Sequence, residues 1–512
     1  MHLRKIASPV LAHLCLLWAG ATLLAEVIPY PRPSGDAIDL QYSVSVNGKS
    51  VDSVSTVMEV SYAHFAFDGK VHVEIKACEP IRTYDLSPHR LGIKPTVVGN
   101  VLAFELNRPC KLHLRINQLR RFFLFADAPE NDVPDPADVG THLLTDFAVV
   151  SSDDTTQTEN IQRAIDEVAA KQGTLYVPPG VYLSGTLKLR SNLKLYLAPG
   201  AIIKGTAKLD DYERGPGGLA QLQLQDARNV RIFGRGVIDN NGYKLRAQFL
   251  PDRKRGRAKM LVTSKSRDLA IKDILLRDSA VWCIHALQSQ DMRFSNLKII
   301  SVSRAETGPD TSHNTDAFDP DNSSNILIEN NFISVDDDAI AVKLTGGKRA
   351  DMHNIVFRDN VIYNMCSALK IGTEVRDFTA RDVLFANNDI VHADTGIVVQ
   401  CYRGGYVDGA RWIGNYFEQV GTVANDSPHR KGADIYINAR SADSFGGIRN
   451  LLIKDNTFEQ FSERPSMIRA AKPNQIVDNV RFENLTVAGQ RRTSAKDARL
   501  RIDKDVSGVE FR

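Results

Sequence analysis

Two aspartate clusters are the residues of this sequence best suited by type and spacing to acid–base chemistry. The clusters are Asp316, Asp319 and Asp321 in SHNTDAFDPDNSSN, and Asp336, Asp337 and Asp338 in SVDDDAIAVK. Carboxyl groups held close together differ in proton affinity, so that one keeps its proton while others stay ionised. Hydrolysis of a glycosidic bond needs such a set, because one group protonates the leaving sugar while another activates water. The clusters therefore predict glycosidic hydrolysis if the fold brings them together.

Two other roles are open to the same aspartates. Asp and Asn dominate exposed turns, because their short polar side chains hydrogen-bond to the nearby backbone. Several carboxylates can also bind a structural Ca²⁺ ion, which takes six to eight oxygen ligands. The presence of a second cluster at a short distance along the chain favours the catalytic interpretation over both.

Composition describes an ordinary globular protein. The chain has 512 residues, of which 43% are hydrophobic and 24% charged, which argues against disorder and allows more than one core. A formal net charge of +3 is too small to indicate a nucleic-acid partner. The one dense basic run, residues 252–259, is interpreted as a solvated loop.

The first 25 residues have the layout of a secretory signal peptide. Arg4 and Lys5 precede an apolar stretch that ends in small residues, with candidate cleavage sites after Ala21 and Ala25. We therefore expect export, to the periplasm or out of the cell. The apolar run is short and interrupted by His13, so a permanent membrane span is not expected.

Residues 26–128 predict a small antiparallel β-sandwich. Segments such as KVHVEIKA and RFFLFAD alternate apolar and polar residues, and turn signals separate them. The Pro- and Asp-rich residues 129–140 follow as a linker. Cys78 and Cys110 are the candidates for a disulfide, although five cysteines beyond the leader are too few for a disulfide framework.

Residues 141–512 predict a parallel β-helix. An amphipathic helix with Thr156 as N-cap precedes a long all-strand region, and we expect it to cover the open end of the β-helix. A loose unit, exemplified by NVRIFGRGVID, NILIENNFISV and NIVFRDNVIYN, then repeats at a spacing that is typical of solenoids. Asn residues at the corners can form hydrogen-bonded ladders from coil to coil, whereas a propeller would need four antiparallel strands per blade.

The coil geometry predicts where the clusters lie. The alternation after the aspartates sends Ile340 and Val342 inward and leaves Ala341 and Lys343 outward. Neighbouring coils are stacked about 4.8 Å apart, so the two clusters, near turns of successive coils, can share one groove.

The paired motifs NTDAFD and SVDDDAIAVK resemble those of glycoside hydrolase family 28, the polygalacturonases and their relatives, which read NTDG and GDDCIAIK. The entry segment 173–201, the GRGVIDNNG turn and SAVWCIHALQSQDMRFSNLKI are similar to further landmarks of the family in the same order. The resemblance covers most of residues 140–485. It implies an all-β, right-handed parallel β-helix and an inverting hydrolysis that needs no metal or other cofactor.

The resemblance also implies roles for individual residues. Asp337 corresponds to the general acid, and Asp316 and Asp338 to the pair that activates water. Asp336 stands where the family has glycine and receives no role.

Two departures from the family concern substrate binding. The family's GHG motif is CSA here, which puts Ser367 in place of the histidine, and the RIK motif that holds a galacturonate carboxylate is replaced by a segment with Val398 and Gln400. Valine cannot pair with a carboxylate, and glutamine offers only a neutral hydrogen bond. Other outward residues are candidates for substrate binding: Lys343, Lys370, Arg403, Tyr436, Asn438 and Arg440. Trp282 and His285 are equally compatible with a core position and with a sugar-stacking wall.

The sequence therefore predicts an exported, inverting glycoside hydrolase acting on a polysaccharide or oligosaccharide other than plain polygalacturonan. An N-terminal sandwich before a β-helix also resembles the layout of dextranases and isopullulanases. Two alternatives remain open: a polysaccharide lyase, which needs an acidic sugar, a base and commonly Ca²⁺, and a carbohydrate-binding β-helix protein without activity.

Overall fold

The computed structural model describes residues 26–56, 60–249, 256–302, 314–345, 351–421, 432–440, 445–471 and 475–512. The predicted signal peptide, residues 1–25, lies outside these ranges, as does part of the basic run, residues 252–255. Two architectures follow one another along the chain: a small β-sandwich and a right-handed parallel β-helix. The predicted fold class is confirmed.

The sandwich consists of two sheets. The first contains Val27–Pro29, Ala37–Ile38, Ser53–Ser55, Val60–Phe67, Tyr84–Ser87, Cys110–Ile116 and Arg121–Asp127. The second contains Tyr42–Val46, Lys49–Val51, Val71–Ala77, Thr96–Val98 and Val101–Leu106. Strand Val71–Ala77 alternates strictly between buried and exposed residues, as expected for a sheet with one face in water. Cys78 and Cys110 are both free thiols, so the candidate disulfide is absent.

The β-helix has three faces, here called sheets 1, 2 and 3. Sheet 1 contains Thr141–Leu143, Thr174–Val177, Lys194–Leu197, Arg228–Gly234, Arg267–Lys272, Gln290–Ser295, Ser324–Glu329, Ile355–Arg358, Thr379–Arg381, Val383–Ala386, Tyr406–Asp408, Arg411–Ile413, Gly446–Lys454, Gln475–Glu483 and Val509–Phe511. Sheet 2 contains Gly180–Ser184, Ala201–Gly205, Val237–Asp239, Leu275–Arg277, Lys298–Ser301, Phe332–Val335, Val361–Asn364, Asp389–Ala393, Tyr416–Val420, Thr457–Phe458, Thr486–Val487 and Gln490–Arg491. Sheet 3 contains Leu187–Lys188, Arg214–Gly215, Gly218–Gln225, Lys259–Ser264, Ile284–Leu287, Phe318–Asp321, Ala341–Leu344, Ser367–Val375, Thr395–Cys401, Ala433–Ala439, Ser466–Ala470 and Leu500–Ile502.

A buried asparagine ladder stabilises one corner of the β-helix. Its members follow each other on successive coils: Asn331, Asn360, Asn388, Asn415 and Asn456. At each step, the backbone N–H and the side-chain amide of one Asn donate to Oδ1 of the next, over distances of 2.8–3.1 Å. The predicted coil-to-coil ladder is confirmed. Because each amide satisfies backbone groups that would otherwise be buried without partners, these corners resist substitution.

A single amphipathic helix, Thr158–Ala170, packs on the first coils of the β-helix. Ile161, Ala164, Ile165 and Val168 are buried in the same apolar core as the coils. The predicted N-cap at Thr156 is wrong, because the helix begins after Gln157, whose side chain hydrogen-bonds to both backbone groups of Val150. A second helix, Gly242–Phe249, and three 3₁₀ segments, His89–Leu91, Leu144–Phe147 and Leu209–Asp211, complete the helical content of the described residues.

The first sandwich sheet packs directly on sheet 2 of the β-helix. Strand Val60–Phe67 is buried at every position, because one of its faces forms the sandwich core and the other contacts the β-helix. Phe123 and Phe125 meet Phe332 at ring-centroid distances of 4.7 and 5.2 Å. The sandwich and the β-helix therefore share a second apolar core.

None of the helices in the described ranges has the length and apolar character required to cross a lipid bilayer.

Candidate active site

The two predicted aspartate clusters come together on sheet 3. Phe318 and Ile340 pair across adjacent strands, and Asp321 is the register partner of Lys343. Ile340 and Val342 are buried in the core, as the alternation predicted. The aspartates at the turns that enter these strands consequently lie on adjacent coils, at the outer face of sheet 3.

Asp338 is held by two donors from the next coil. The Nζ atom of Lys370 lies 2.6 Å from its Oδ2, and the backbone N–H of Ser367 donates to its Oδ1 over 3.2 Å. Burial by itself raises the pKa of Asp338, but the Lys370 ammonium outweighs it and holds this pKa below the ordinary value of 3.8. Lys370 in turn has a raised pKa despite its burial, because of the same carboxylate. Asp338 is therefore a carboxylate over the ordinary pH range.

Asp316 and Asp319 share one ammonium group. The Nζ atom of Lys343 lies 3.2 Å from Asp316 Oδ2 and 2.9 Å from Asp319 Oδ1. Burial, followed by the charge of Asp316, raises the pKa of Asp319 well above its usual range, whereas the two carboxylates raise the pKa of the buried Lys343. Asp319 is only 1% exposed and is linked to Asp316 through their shared contact with Lys343.

Two lysines beside this cluster contact the indole ring of Trp282. The Nζ atoms of Lys343 and Lys259 are 3.7 and 4.1 Å from the centre of the indole ring. Cations above an aromatic face are attracted by its quadrupole, most strongly where water is excluded. His285 lies 5.0 Å from Trp282 between ring centroids; its Nδ1 accepts a hydrogen bond from Lys259 and its Nε2 donates one to Asp321. Trp282 and His285 thus form a packed wall next to the carboxylates.

Asp337 is the predicted general acid. It is 8% exposed, and its Oδ2 accepts a hydrogen bond of 2.7 Å from the backbone N–H of Asn314. One side-chain oxygen of Asp337 lies within 4.8 Å of one oxygen of Asp338 and of the Cys366 sulfur. Two carboxylates and a thiol are too few and too soft a donor set for Ca²⁺. The expectation of a metal-free reaction stays a prediction.

A groove of about 600 Å³ lies along sheet 3 beside the carboxylates: Ser367 and Lys370, which contact Asp338, line it, whereas Asp316, Asp337 and Asp338 do not. Six of the predicted binding residues line it, namely Ser367, Lys370, Gln400, Tyr436, Asn438 and Arg440. Val398 lines it as well. The volume is in the range of ordinary ligand sites, roughly 300–1,000 Å³. Lys370, Val398 and Tyr436 are register partners on successive strands, so the groove runs parallel to the β-helix axis.

Two predicted binding residues do not line this groove. Lys343 is occupied by Asp316 and Asp319, so it is held within the carboxylate cluster. Arg403 lies beyond the end of strand Thr395–Cys401, where a left-handed backbone (φ 84°) turns the chain away from the sheet. The alternation of inward and outward residues along a strand could not predict either arrangement, because it describes neither how far a side chain reaches nor the direction of a turn.

Sequence reasoning missed Tyr402, Arg469 and Asp503, which also line the groove. Tyr402 and Tyr436 both have their hydroxyl oxygens within reach of the Asn438 amide, at 3.3 and 2.8 Å, which creates a polar platform. Arg469 and Asp503 close the far end with an ion pair of 3.3 Å. Asn438 and Arg469 are register partners on adjacent strands. An alignment of the sequence repeats coil by coil would have placed Arg469 next to Asn438 and so in the groove.

The comparisons with known proteins agree with this geometry. A sequence model described as glycosyl hydrolases family 28 matches residues 168–413. A probable polygalacturonase of Vitis vinifera is 27% identical over 296 residues, covering 52% of this chain and 58% of that protein. The chain spans little more than half the length of the curated relatives it matches.

Two solved structures share the fold. A hyperthermoactive exopolygalacturonase from Thermotoga maritima superposes with a TM-score of 0.54 at 20% identity, covering 75% of this chain and 93% of that one. Dex49A from Penicillium minioluteum superposes with a TM-score of 0.59 at 13% identity, covering 95% of this chain and 96% of that one. The second likeness extends over most of the described sandwich and β-helix.

Proposed function

We propose that the protein, whose residues 168–413 match the sequence model of glycosyl hydrolases family 28, hydrolyses glycosidic bonds of a polysaccharide or oligosaccharide. The observation that carries the proposal is the carboxylate cluster, with Asp338 on Lys370 and Asp316 on Lys343. A groove that shares Ser367 and Lys370 with this cluster gives a sugar chain a place to bind next to the carboxylates.

The proposed roles follow from charge. The Lys370 contact favours the ionised form of Asp338, as a group that activates water requires, and Asp316 contacts Lys343. Asp337 is the proposed proton donor to the leaving sugar, since the ionised Asp338 close by disfavours a second negative charge. Removal of a general acid or base typically reduces the rate by roughly 10²–10⁴-fold.

Inversion at the anomeric carbon is part of the proposal. Inverting glycosidases usually hold their two carboxyl groups roughly 6.5–9.5 Å apart, whereas one oxygen of Asp337 and one of Asp338 lie within 4.8 Å of each other. This short separation is closer to the roughly 5–5.5 Å typical of retaining enzymes, so inversion rests on the family resemblance, with Asp338 and Asp316 together proposed to hold the attacking water.

The proposed substrate differs from plain polygalacturonan at the sugar next to the cleavage site. Val398 and Gln400 line the groove where the family's motif would supply cations, and Gln400 accepts a hydrogen bond of 3.0 Å from Thr373. The hydroxyl groups of Tyr402 and Tyr436 and the Asn438 amide suit a neutral sugar, which offers hydroxyl donors and acceptors.

The two lysines that contact the site carboxylates are poorly suited to act as the base of a β-elimination. A lyase requires a neutral base next to the sugar, and Lys343 and Lys370 are the amines closest to the carboxylates by hydrogen bonding. Both have a raised pKa because carboxylates contact them. Neither amine is therefore suited to accept a proton from a substrate.

Export remains a further part of the proposal and depends on residues 1–25, whose composition predicts a signal peptide. N-terminal sequencing of protein recovered outside the cytoplasm, starting after Ala21 or Ala25, tests it.

The experiment that tests the function is release of reducing ends from matched neutral glucans, galactans and pectic polymers, with the anomer of the first product followed by NMR. Hydrolysis of at least one polymer with inversion is expected. Products with an ultraviolet-absorbing double bond would identify a lyase instead. Binding to a polymer without any increase in reducing ends would identify a carbohydrate-binding protein without activity.

A further inference from the structure

A second cavity lies at the junction of the sandwich and the β-helix, away from the groove. It has a volume of about 410 Å³, which is within the range of ligand sites, and such sites occur preferentially between domains. The sandwich contributes residues 88–91 and 108–111 in part, and corners of three β-helix coils contribute the remainder. None of the residues assigned to the proposed hydrolysis lines this cavity.

Two acids and three bases line the cavity, and most of these charges are already compensated. Arg90 forms an ion pair with Asp389 and donates to the backbone oxygen of Asn387. Asp359 lies 3.7 Å from the guanidinium of its neighbour Arg358. The two remaining charges, those of Lys111 and Arg108, are both positive.

Lys111 is a buried amine that lacks a carboxylate of its own, and burial lowers its pKa. Lys111 is 5% exposed, and its Nζ donates one hydrogen bond, 2.9 Å long, to the neutral side chain of Asn330. Asp127, the carboxylate that attracts Lys111 most strongly, already contacts Lys298, Arg235 and His64. Among the described residues Lys111 forms no ion pair. Burying a charge without a counter-charge is unfavourable, so an anion in the cavity would stabilise this arrangement.

Arg108 adds a second cation at the edge of the same cavity. It is exposed and lies in the turn before strand Cys110–Ile116, whose second residue is Lys111. No ion pair of Arg108 is found in the part of the chain that the structure describes. A guanidinium presents paired N–H donors that match the geometry of an oxyanion.

We propose that this interdomain cavity binds a small oxyanion through Lys111 and Arg108. The ligand would carry an oxyanion, either the carboxylate of an acidic sugar or free sulfate or phosphate. The ligand would contact both the sandwich and the β-helix, since Lys111 belongs to the first and Asn330 to the second. The proposal is independent of the hydrolase function, because it uses neither the carboxylate cluster nor the groove.

The test is isothermal titration of the purified protein with sodium sulfate, sodium galacturonate and, as the uncharged comparison, galactose, at constant ionic strength. We expect saturable binding of at least one anion, with a matching increase in the unfolding temperature, and no equivalent binding of galactose. Tighter binding of galacturonate identifies an acidic sugar as the ligand, whereas tighter binding of sulfate identifies a free oxyanion.

Variants assign the binding to the cavity. Arg108→Gln, at an exposed position, is expected to weaken anion binding roughly tenfold or more, and Lys111→Met to abolish it. Arg115→Gln removes the same charge from an exposed position of strand Cys110–Ile116, which follows Arg108, and serves as the control. The proposal is overturned if neither anion binds saturably, if galactose binds as well as galacturonate, or if Arg108→Gln behaves like Arg115→Gln.

Discussion

The ammonium of Lys370 lies 2.6 Å from the Oδ2 atom of Asp338, although the two residues belong to different coils of the β-helix. Side chains 32 positions apart in sequence thus form one charge pair at the edge of the groove. Within the run of three aspartates Lys370 compensates the charge of Asp338, and in the other cluster Lys343 compensates that of Asp316.

The Lys370–Asp338 pair should control the acidic limb of the pH–activity profile. Since the pKa of Asp338 is lowered below 3.8, its carboxylate is lost only when the pH falls through that lowered value. Lys370→Met removes the largest pKa-lowering influence while those of Lys343 and Ser367 remain, so burial weighs more, the pKa of Asp338 rises and activity should be lost at a higher pH. The dependence of kcat/KM on pH measures this shift, with Lys454→Met on sheet 1 as control. An unchanged acidic limb would contradict the assignment of Asp338.

Chelation should leave the activity unchanged. The proposed chemistry uses carboxylates and lysines only, and the described cluster of Asp337, Asp338 and Cys366 offers few donors for a hard cation. Initial rates before and after exhaustive dialysis against EDTA measure the effect. Loss of activity that Ca²⁺ restores would show that the carboxylates act as metal ligands.

Gln400→Arg should increase activity on polygalacturonan relative to a neutral polymer. Gln400 lines the groove and now hydrogen-bonds to Thr373, and a guanidinium there would offer a substrate carboxylate a charge-assisted contact. Such contacts contribute about 1.5–3 kcal/mol, or roughly ten- to a hundredfold in kcat/KM. Gln490→Arg, which adds the same charge at an exposed strand on sheet 2, is the control. Equal effects of the two variants would mean that only the net charge matters.

Asp127→Asn should destabilise the whole molecule. Asp127 is 2% exposed and contacts three basic side chains, Lys298, Arg235 and His64, at the junction of sandwich and β-helix. Removal of one partner of a buried ion pair typically costs about 3–5 kcal/mol. The exposed pair of Arg231 and Asp268, 2.7 Å apart, supplies the control Asp268→Asn, for which a change of about 1 kcal/mol or less is expected. Urea unfolding measures both, and similar values would contradict the structural role of Asp127.

Local pattern predicted the β-helix and its core well. Asn331 and Asn360 ladder as expected, and Ile340 and Val342 point inward, because coil stacking repeats the same short-range geometry at every step. The strand at Arg121–Asp127 was also predicted, but not its burial on both faces. That burial depends on docking of the sandwich against the β-helix, which no local pattern reports.

The site was predicted in part. The positions of Asp316, Asp337 and Asp338 on neighbouring coils followed from the strand spacing. The pairing of Lys343 with Asp316, by contrast, depends on the reach of a flexible side chain around a tryptophan ring. The exclusion of Arg403 from the groove depends on a left-handed residue after a strand, which the sequence does not signal because arginine rarely adopts it.

The measurement that tests the central claim most directly compares Asp337→Asn with Asp336→Asn. Both variants replace one aspartate of the same cluster by its amide, but only Asp337 is assigned as the proton donor. On a polymer that the wild-type protein cleaves, Asp337→Asn should reduce kcat by roughly 10²–10⁴-fold while circular dichroism and unfolding temperature stay unchanged, and Asp336→Asn should retain most of the activity. Full activity of a folded Asp337→Asn protein would contradict the account.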